Sequence, residues 1–407
     1  MKTKFHLALP ILNELENLPD FLNDLRQQDN QNFILWVCVN HYEHWRNIPE
    51  KQEQINNNEK SLTYLKSIDD IEIRIIDKAS QGKGWPRKKG GVGWARKTLM
   101  DAIASEAENH NLIISMDADT RYPENYLTAI GNTFSGNPAA TGLSVPYYHR
   151  LCNNEENNRL ILRYEIYMRN YALNMLRIGN PYAFSALGSA MAFPVWAYKK
   201  VGGLTPVISG EDFYFLQKLV KNGLVLFWTD TIAKPSPRLS DRVVFGTGPA
   251  LIKGNSGDWS SYPIYHHTLF EKIKETFDLF PVLFEKDVPA PMDDFFKEQF
   301  KEENIWKPLR NNFKDQKNFI RACINKVDGL RILQYLRKQQ ESTFPDNNKN
   351  LVDFLFSFYN RKMDESFKKH FKDFDFDGAA LCFLDLIRDF MFEQEMKLRK
   401  EHDKSDI

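Results

Sequence analysis

The sequence predicts an α/β domain with a mainly parallel central sheet, followed by a mainly helical C-terminal region. Short apolar, β-branched runs recur in the first half of the chain, and helical patterns separate most of them. After about Pro249 these runs vanish, and long segments rich in Phe, Leu, Lys and Glu follow. We therefore predict a sheet domain over residues 1–250 and a helical region over residues 251–407.

The individual elements follow from hydrophobic period and from helix-start signals. The first helix is predicted to follow Asn17, with Pro19 in its first turn. Three further helices are predicted: one over about 93–107, one that begins near Pro123, and one over 155–177. The predicted strands are residues 5–12, 33–39, 71–76, 112–116 and 140–145.

Three further stretches carry weaker signals. Residues 42–67 are rich in Asn, Gln and Glu and predict a solvated excursion between strands that could include helix. Residues 179–198 lack charge over the length of a membrane span, but their Asn, Pro and Ser residues favour a buried irregular segment instead. The charged end, residues 397–407, is expected to fray.

Charge and cysteine content limit the partners and the compartment. The 54 basic and 54 acidic side chains balance, so no global field draws the chain to nucleic acid or to an anionic membrane. The four cysteines are scattered without a C-x-x-C pair, which fits a reducing, cytoplasmic compartment. His6 and Pro10 interrupt the first apolar run, which favours a buried strand over a signal peptide. We expect no nucleic-acid partner and no transmembrane segment, although peripheral membrane contact stays possible.

Asp117 and Asp119 come directly after an apolar strand in LIISMDADT. Carboxylates at the carboxyl edge of an α/β sheet lie where ligands bind, and two of them repel each other unless a cation intervenes. Mg²⁺ or Mn²⁺ held through oxygen would bridge them to a diphosphate. The alternatives are an aspartate that attacks phosphorus itself, or a strand end with one helix cap and one solvated side chain.

Two other segments could serve the same ligand. GKGWPRKKGGVGWARK, residues 82–97, interleaves five glycines with six cations, and its amides and charges could hold an anion or form a solvated basic loop. Glu211 and Asp212 open a predicted helix, where the helix dipole would keep Asp212 ionised and able to accept a proton. Acidic residues also occur in first turns for structural reasons alone.

Five motifs in this order resemble family 2 glycosyltransferases, which have the GT-A fold. Their opening P-x-x-N-E-x-x-N-L resembles LPILNELENL, and their donor-side motifs resemble the basic glycine-rich segment and MDADT. Their acceptor segment resembles GSAMAFPVWAYKKVGG, and their E-D motif resembles GEDFYFLQKLVKNG, which follows it. The resemblance covers roughly residues 4–250. It implies transfer of a sugar from a nucleotide-diphosphate sugar to a sugar or lipid-linked acceptor, normally with inversion, as in polysaccharide biosynthesis.

The resemblance also implies residue roles. Asp212 would be the general base with Glu211 beside it, Asp117 and Asp119 would hold Mn²⁺ or Mg²⁺, and Gly188 and Ser189 would lie on the acceptor side. The donor nucleotide and its phosphates would contact Pro10, Asn13, Glu14, Asn40, Asp77, Lys83, Arg87, Lys88, Arg96, Asp117, Arg238 and Arg242.

The sequence departs from the family in two places. The second strand ends in VCVNHYEHW without the usual acidic run, so Asn40 or Asp77 would contact the base. The Q-x-x-R-W motif of processive members is absent, and PSPRLSDRVVFGTGP with Arg238 and Arg242 stands in its place, which favours addition of one sugar. Two competing interpretations are a haloacid-dehalogenase-like phosphatase with Asp117 as nucleophile and a metal-dependent nucleotidyltransferase.

Overall fold

Seven strands form one sheet in the first half of the chain. The computed structural model describes residues 3–207, 210–238 and 247–405. The strands are β1 (Phe5–Ile11), β2 (Phe33–Asn40), β3 (Ile73–Lys78), β4 (Leu112–Ser115), β5 (Gly142–Ser144), β6 (Met191–Pro194) and β7 (Val225–Leu226). Their spatial order is β3-β2-β1-β4-β6-β5-β7, and only β6 runs antiparallel to its neighbours β4 and β5. The predicted α/β class with a mainly parallel sheet is confirmed.

Helices alternate with the strands and then fill the second half of the described chain. They are α1 (Leu18–Arg26), α2 (Gln52–Lys66), α3 (Val92–Glu106), α4 (Tyr126–Gly136), α5 (Glu155–Arg177), α6 (Val195–Lys200), α7 (Glu211–Asn222), α8 (Thr247–Asn255), α9 (His267–Asp278), α10 (Phe280–Glu285), α11 (Asp293–Phe300), α12 (Trp306–Asn312), α13 (Gln316–Lys326), α14 (Gly329–Thr343), α15 (Asn347–Tyr359), α16 (Glu365–Lys369) and α17 (Leu381–Ser405). The described part of the chain contains no helix that is long and apolar enough to cross a membrane.

The central strands are buried on both faces. Every residue of β2 and β4 is buried, as expected for parallel strands that helices cover on two sides. Such strands are almost continuously apolar, and that is why their sequences could be predicted as strands. The fifth predicted strand, 140–145, is shorter in the structure and spans only Gly142–Ser144.

Two stretches with weak signals contain regular elements. The polar stretch 42–67 includes α2, in which Ile55, Leu62 and Leu65 are buried at helical spacing. The stretch 179–198 is buried as predicted but is not irregular throughout, because β6 lies inside it and α6 begins there. An antiparallel strand of four residues leaves too short a pattern to read from sequence alone.

The prediction that the charged C-terminus frays is wrong. Helix α17 continues to Ser405, and Arg399 and Asp403 are buried. Arg399 Nη1 donates to the carbonyl oxygens of Ser144 at 3.1 Å and Phe227 at 2.7 Å, and the Asp403 carboxylate accepts from the Phe227 amide. These bonds supply partners for backbone groups at the ends of β5 and β7.

The chain divides into two compact units. The first contains Met1–Ile161, Phe184–Gly257 and Arg399–Ile407, and the second contains Leu162–Ala183 and Asp258–Leu398. The break at 257 lies near the predicted boundary at 250, but segments 162–183 and 399–407 belong to the opposite unit from the predicted ranges. The second unit has its own apolar core, which includes Leu162, Ile166, Phe354, Leu384 and Ile387.

Candidate active site

The carboxyl ends of four parallel strands bring half of the predicted donor residues and the predicted metal residue Asp119 to one edge of the sheet. Because β1, β2, β3 and β4 run in the same direction, the residues that end or follow them share that edge. These residues are Pro10, Asn13, Glu14, Asn40, Asp77, Asp117 and Asp119.

A buried arginine joins the D-x-D motif to the E-D motif. Arg96 lies in α3 and is 4% exposed. Its Nη2 donates to Asp117 Oδ1 at 2.6 Å, and its Nη1 donates to Glu211 Oε1 at the start of α7. Asp117 and Glu211, which are far apart in sequence, are therefore held by one guanidinium group. Arg96 was predicted to lie near the phosphates, and in the structure its guanidinium group contacts the carboxylates of Asp117 and Glu211.

The two predicted acceptor-side residues adjoin this ion-pair network. A Cβ atom on Gly188 would lie 2.1 Å from Arg96 Nη1, so only glycine leaves room for the guanidinium. Ser189 is buried, and its carbonyl oxygen accepts from the Tyr122 hydroxyl at 3.1 Å. The same hydroxyl accepts from the Asp117 amide at 3.0 Å. Tyr122 was not predicted, and no motif in the sequence marks it.

Replacing Gly188 by alanine is expected to lower the free energy of unfolding by about 1–3 kcal/mol, because the added methyl group overlaps the Arg96 guanidinium. Urea unfolding of the purified protein measures this change. Gly136→Ala is the matched control, since a Cβ atom there meets nothing within 4 Å. Equal stability of the two variants would show that Gly188 is not required for the position of Arg96.

Three carboxylates lie in the electrostatic field of the single Arg96 charge. Burial raises the pKa of Glu211 to about 7, against the opposing effect of Arg96. Burial also raises the pKa of Asp212, which Arg96 opposes and Asp117 reinforces. The Phe213 amide orients Asp212 by donating to its Oδ1 at 2.8 Å. The sequence suggested that the helix start alone would set the charge of Asp212, but burial acts in the opposite direction and makes Asp212 a stronger base.

Arg238 lies between the opening motif and the second aspartate of D-x-D. Its Nη2 is 2.8 Å from Asp119 Oδ2 and also bonds to Glu14 Oε1. Arg150 contacts the same aspartate differently, because its Nη2 donates to the Asp119 carbonyl oxygen at 3.0 Å. Arg150 was not predicted as a site residue. Arg242, which was predicted together with Arg238, lies outside the described residues.

The asparagines at this edge bond within the protein. Asn40 Nδ2 donates to the Ile11 carbonyl at 2.9 Å, and its Oδ1 accepts from Trp85 Nε1 at 3.1 Å. The Asn13 amide donates to Asn58 Oδ1 at 2.8 Å, and Asn13 has a positive φ of 57°. Asn58 is fully buried in α2, within the stretch that was predicted to be solvated. Asn40 and Asn58 therefore fix the loops that follow β1 and β2.

Asp77 and the basic loop form the outer part of this edge. Asp77 accepts from the Ala79 and Ser80 amides and from Lys83 Nζ at 3.0 Å. Burial would raise the pKa of Asp77, but the bonds from Ser80, Ala79 and Lys83 outweigh it and lower that pKa. Asp77 therefore stays ionised at neutral pH.

The loop after Asp77 is anchored at its glycines. Glu43 Oε1 and Oε2 accept from the Gly82 and Gly84 amides at 2.9 and 2.7 Å. Arg87 and Lys88 are exposed and form no ion pair within the described residues, so their charges are available to an anion.

The residues of the D-x-D motif fit a hard divalent cation if the ligand supplies further oxygen atoms. The described residues contain no group of three or more His, Cys, Asp or Glu side chains that could hold a metal ion. Asp117 and Asp119 offer carboxylate oxygens, and Mg²⁺ is commonly held by one or two carboxylates together with substrate phosphates. A cation here would therefore depend on the diphosphate for the rest of its coordination.

A family model matches the middle of the chain. Residues 112–278 match the model of the family described as "Glycosyl transferase family group 2". This segment is therefore similar to the family 2 glycosyltransferases. The match begins at β4 and includes the D-x-D motif, Gly188, Ser189 and the E-D motif. A search of curated proteins gives no match to this glycosyltransferase.

Several solved structures are similar at low identity. Residues 1–349 of S. aureus TarS in complex with UDP-GlcNAc are 12% identical, with 99% of this chain and 93% of TarS 1–349 covered and a TM-score of 0.39. The mannosyltransferase PcManGT from Pyrobaculum calidifontis, in complex with GDP-Man and Mn²⁺, is 10% identical, with 97% and 88% covered and a TM-score of 0.37. Scores this low carry no weight for substrate or metal.

Proposed function

We propose that this glycosyltransferase moves one sugar from a nucleotide-diphosphate sugar to an acceptor hydroxyl, with a divalent cation and with inversion at the sugar carbon. The observation that carries the proposal is the bridge from Asp117 through Arg96 to Glu211. It brings the donor motif and the base motif to one place at the sheet edge, which a displacement between two bound substrates requires.

The donor side of the site supplies charge for the leaving diphosphate. Asp117 and Asp119 would hold Mn²⁺ or Mg²⁺, which would neutralise negative charge on the diphosphate as the bond to the sugar breaks. Arg87 and Lys88 are exposed cations in the loop before α3 and would add hydrogen bonds to phosphate. Asp77, together with the backbone near Pro10 and Asn13, would contact the nucleoside.

The acceptor side needs one base. Asp212 would take the proton from the acceptor hydroxyl, and its raised pKa favours this role. The hydroxyl oxygen would then displace the diphosphate in one step from the opposite face of the sugar, which inverts the configuration. Glu211 would act as a positioning residue, because its carboxylate is bound to Arg96.

Addition of a single sugar is the proposed outcome, because the chain lacks the Q-x-x-R-W motif of processive members. The acceptor would be a sugar or a lipid-linked sugar, as in polysaccharide biosynthesis. The four cysteines are free, which agrees with the proposed cytoplasmic location.

The two competing interpretations are not favoured. A phosphatase would need Asp117 as a free nucleophile, but Asp117 Oδ1 is hydrogen-bonded to a buried arginine, which lowers the nucleophilicity of that oxygen. A nucleotidyltransferase would normally have a glycine-rich turn directly after β1, and this chain has PILNELEN there. The family match over residues 112–278 also favours sugar transfer.

A donor panel tests the proposal. The purified protein is incubated with Mn²⁺ and a set of nucleotide sugars, sugar phosphates and nucleoside triphosphates, and free nucleoside diphosphate, phosphate and pyrophosphate are measured. We expect release of nucleoside diphosphate from one nucleotide sugar, and loss of that release when EDTA removes the metal. Phosphate released from sugar phosphates, without nucleoside diphosphate, would refute the glycosyl-transfer proposal.

A further inference from the structure

Arg238 forms an ion pair with Asp119. One nitrogen, Nη2, bonds both to Asp119 Oδ2 and to Glu14 Oε1. The Arg238 side chain is only 30% exposed, so solvent screens this contact less than it screens an ion pair on the open surface. The guanidinium therefore takes the position of a counter-ion on an aspartate proposed to hold the metal.

Glu14 is itself fixed in place. Its Oε2 accepts from Asn17 Nδ2 at 2.6 Å, and the Glu14 side chain is 7% exposed. Glu14 and Asn17 are both residues of the opening motif. Their bond indicates that the motif holds Arg238, in addition to any contact that it makes with a nucleoside.

A cation and Arg238 would compete for Asp119. A divalent cation lies about 2.0–2.1 Å from a carboxylate oxygen, and Arg238 Nη2 is already 2.8 Å from Asp119 Oδ2. Two positive groups on one small carboxylate repel each other strongly in a partly buried site. Binding of the cation therefore requires the contact between Arg238 and Asp119 to lengthen or break.

We propose that Arg238 is a counter-ion that exchanges with the cation. In the donor-free protein it pairs with Asp119, and when a divalent cation binds Asp119 it stays attached to Glu14 and turns to the donor diphosphate. This inference rests on the proposed function, since it assigns a new role to a residue of the same site. It predicts that replacing Arg238 strengthens the binding of the cation and weakens the binding of nucleotide in the presence of the cation.

Titration of the donor-free protein with Mn²⁺ tests the exchange, with free Mn²⁺ measured by electron paramagnetic resonance. Arg238→Gln is expected to bind Mn²⁺ roughly fivefold more tightly than the wild type, because the ion pair from Arg238 no longer competes with the cation. UDP and GDP are then tested with saturating Mn²⁺. Whichever of the two nucleotides the wild type binds, the same variant is expected to bind it more weakly.

Arg150→Gln is the matched control. Arg150 also contacts Asp119, but it does so at the backbone carbonyl oxygen, so its removal changes the local field without removing an ion pair from the carboxylate. Its gain in Mn²⁺ affinity should be clearly smaller than that of Arg238→Gln. Asp119→Asn should abolish the tight binding of Mn²⁺ to the Arg238→Gln variant.

Three results would overturn the exchange. They are unchanged or weaker Mn²⁺ binding by Arg238→Gln, an equal gain in Arg150→Gln, and no Mn²⁺ binding by either Arg238→Gln or the wild type. None of these depends on sugar transfer, which the donor panel measures separately. Release of nucleoside diphosphate together with no Mn²⁺ binding would refute the exchange and keep the transfer, whereas a protein that binds Mn²⁺ as predicted without releasing nucleoside diphosphate would refute only the transfer.

Discussion

Replacing Asp212 by asparagine is expected to lower kcat for sugar transfer by about 10²–10⁴-fold, the usual contribution of a general base. Asparagine has nearly the same shape and keeps the oxygen that accepts from the Phe213 amide, but it cannot take a proton. Donor binding should stay close to that of the wild type, because Asp212 is assigned to the acceptor hydroxyl. Steady-state transfer and titration with the donor nucleotide measure the two quantities separately.

The pH profile gives a second measurement of the same residue. Burial raises the pKa of Asp212, so wild-type transfer should begin to fall at a higher pH than it would for an exposed aspartate. The residual transfer of Asp212→Asn should lack this acid limb. Asp70→Asn serves as control, since Asp70 is an exposed partner of Arg26 and should leave transfer unchanged. Full transfer by Asp212→Asn would remove Asp212 from the mechanism.

Replacing Arg96 by methionine is expected to cost about 3–5 kcal/mol in the free energy of unfolding, because it leaves a buried carboxylate without its partner. Glu211 is 2% exposed and bonds to Arg96, and Asp117 loses a bond of 2.6 Å. Methionine keeps the apolar length of the side chain, so the loss reports on charge and hydrogen bonding more than on packing. Urea unfolding at neutral pH measures it.

The neighbouring Lys97 supplies the control for Arg96. Lys97 lies in the same helix, and among the described residues its one ion pair is with the partly exposed Asp101. Lys97→Met should therefore change the free energy of unfolding by less than about 1 kcal/mol. Arg96→Lys keeps the charge but lacks the planar fork that reaches two carboxylates, and it should recover only part of the loss. Equal stability of Arg96→Met and Lys97→Met would contradict the role of Arg96 as the bridge.

The sequence was informative where a local pattern carries the structure. Runs such as residues 33–39 and 112–116 were predicted as strands because both faces of a parallel sheet are covered and these residues, apart from Ser115, are apolar. It was not informative where the partner is distant. Nothing near Arg399 indicates that its guanidinium will meet the carbonyl oxygens of Ser144 and Phe227, so a charged stretch that looked solvated is buried.

For the candidate site, too, local motifs could be predicted from the sequence and distant contacts could not. Chain order alone placed Asp117, Asp119, Glu211 and Asp212 in recognisable motifs, because the residues of each motif are adjacent in sequence. The sequence therefore determined the resemblance to glycosyltransferases, the α/β sheet and the acidic residues proposed for metal and base. Only the tertiary structure decided that Arg96 binds the carboxylates of Asp117 and Glu211, that Gly188 makes room for it, and that Arg238 pairs with Asp119. The physical reason is that burial and ion pairing depend on which side chains meet across the fold, and these contacts join residues that the sequence keeps far apart.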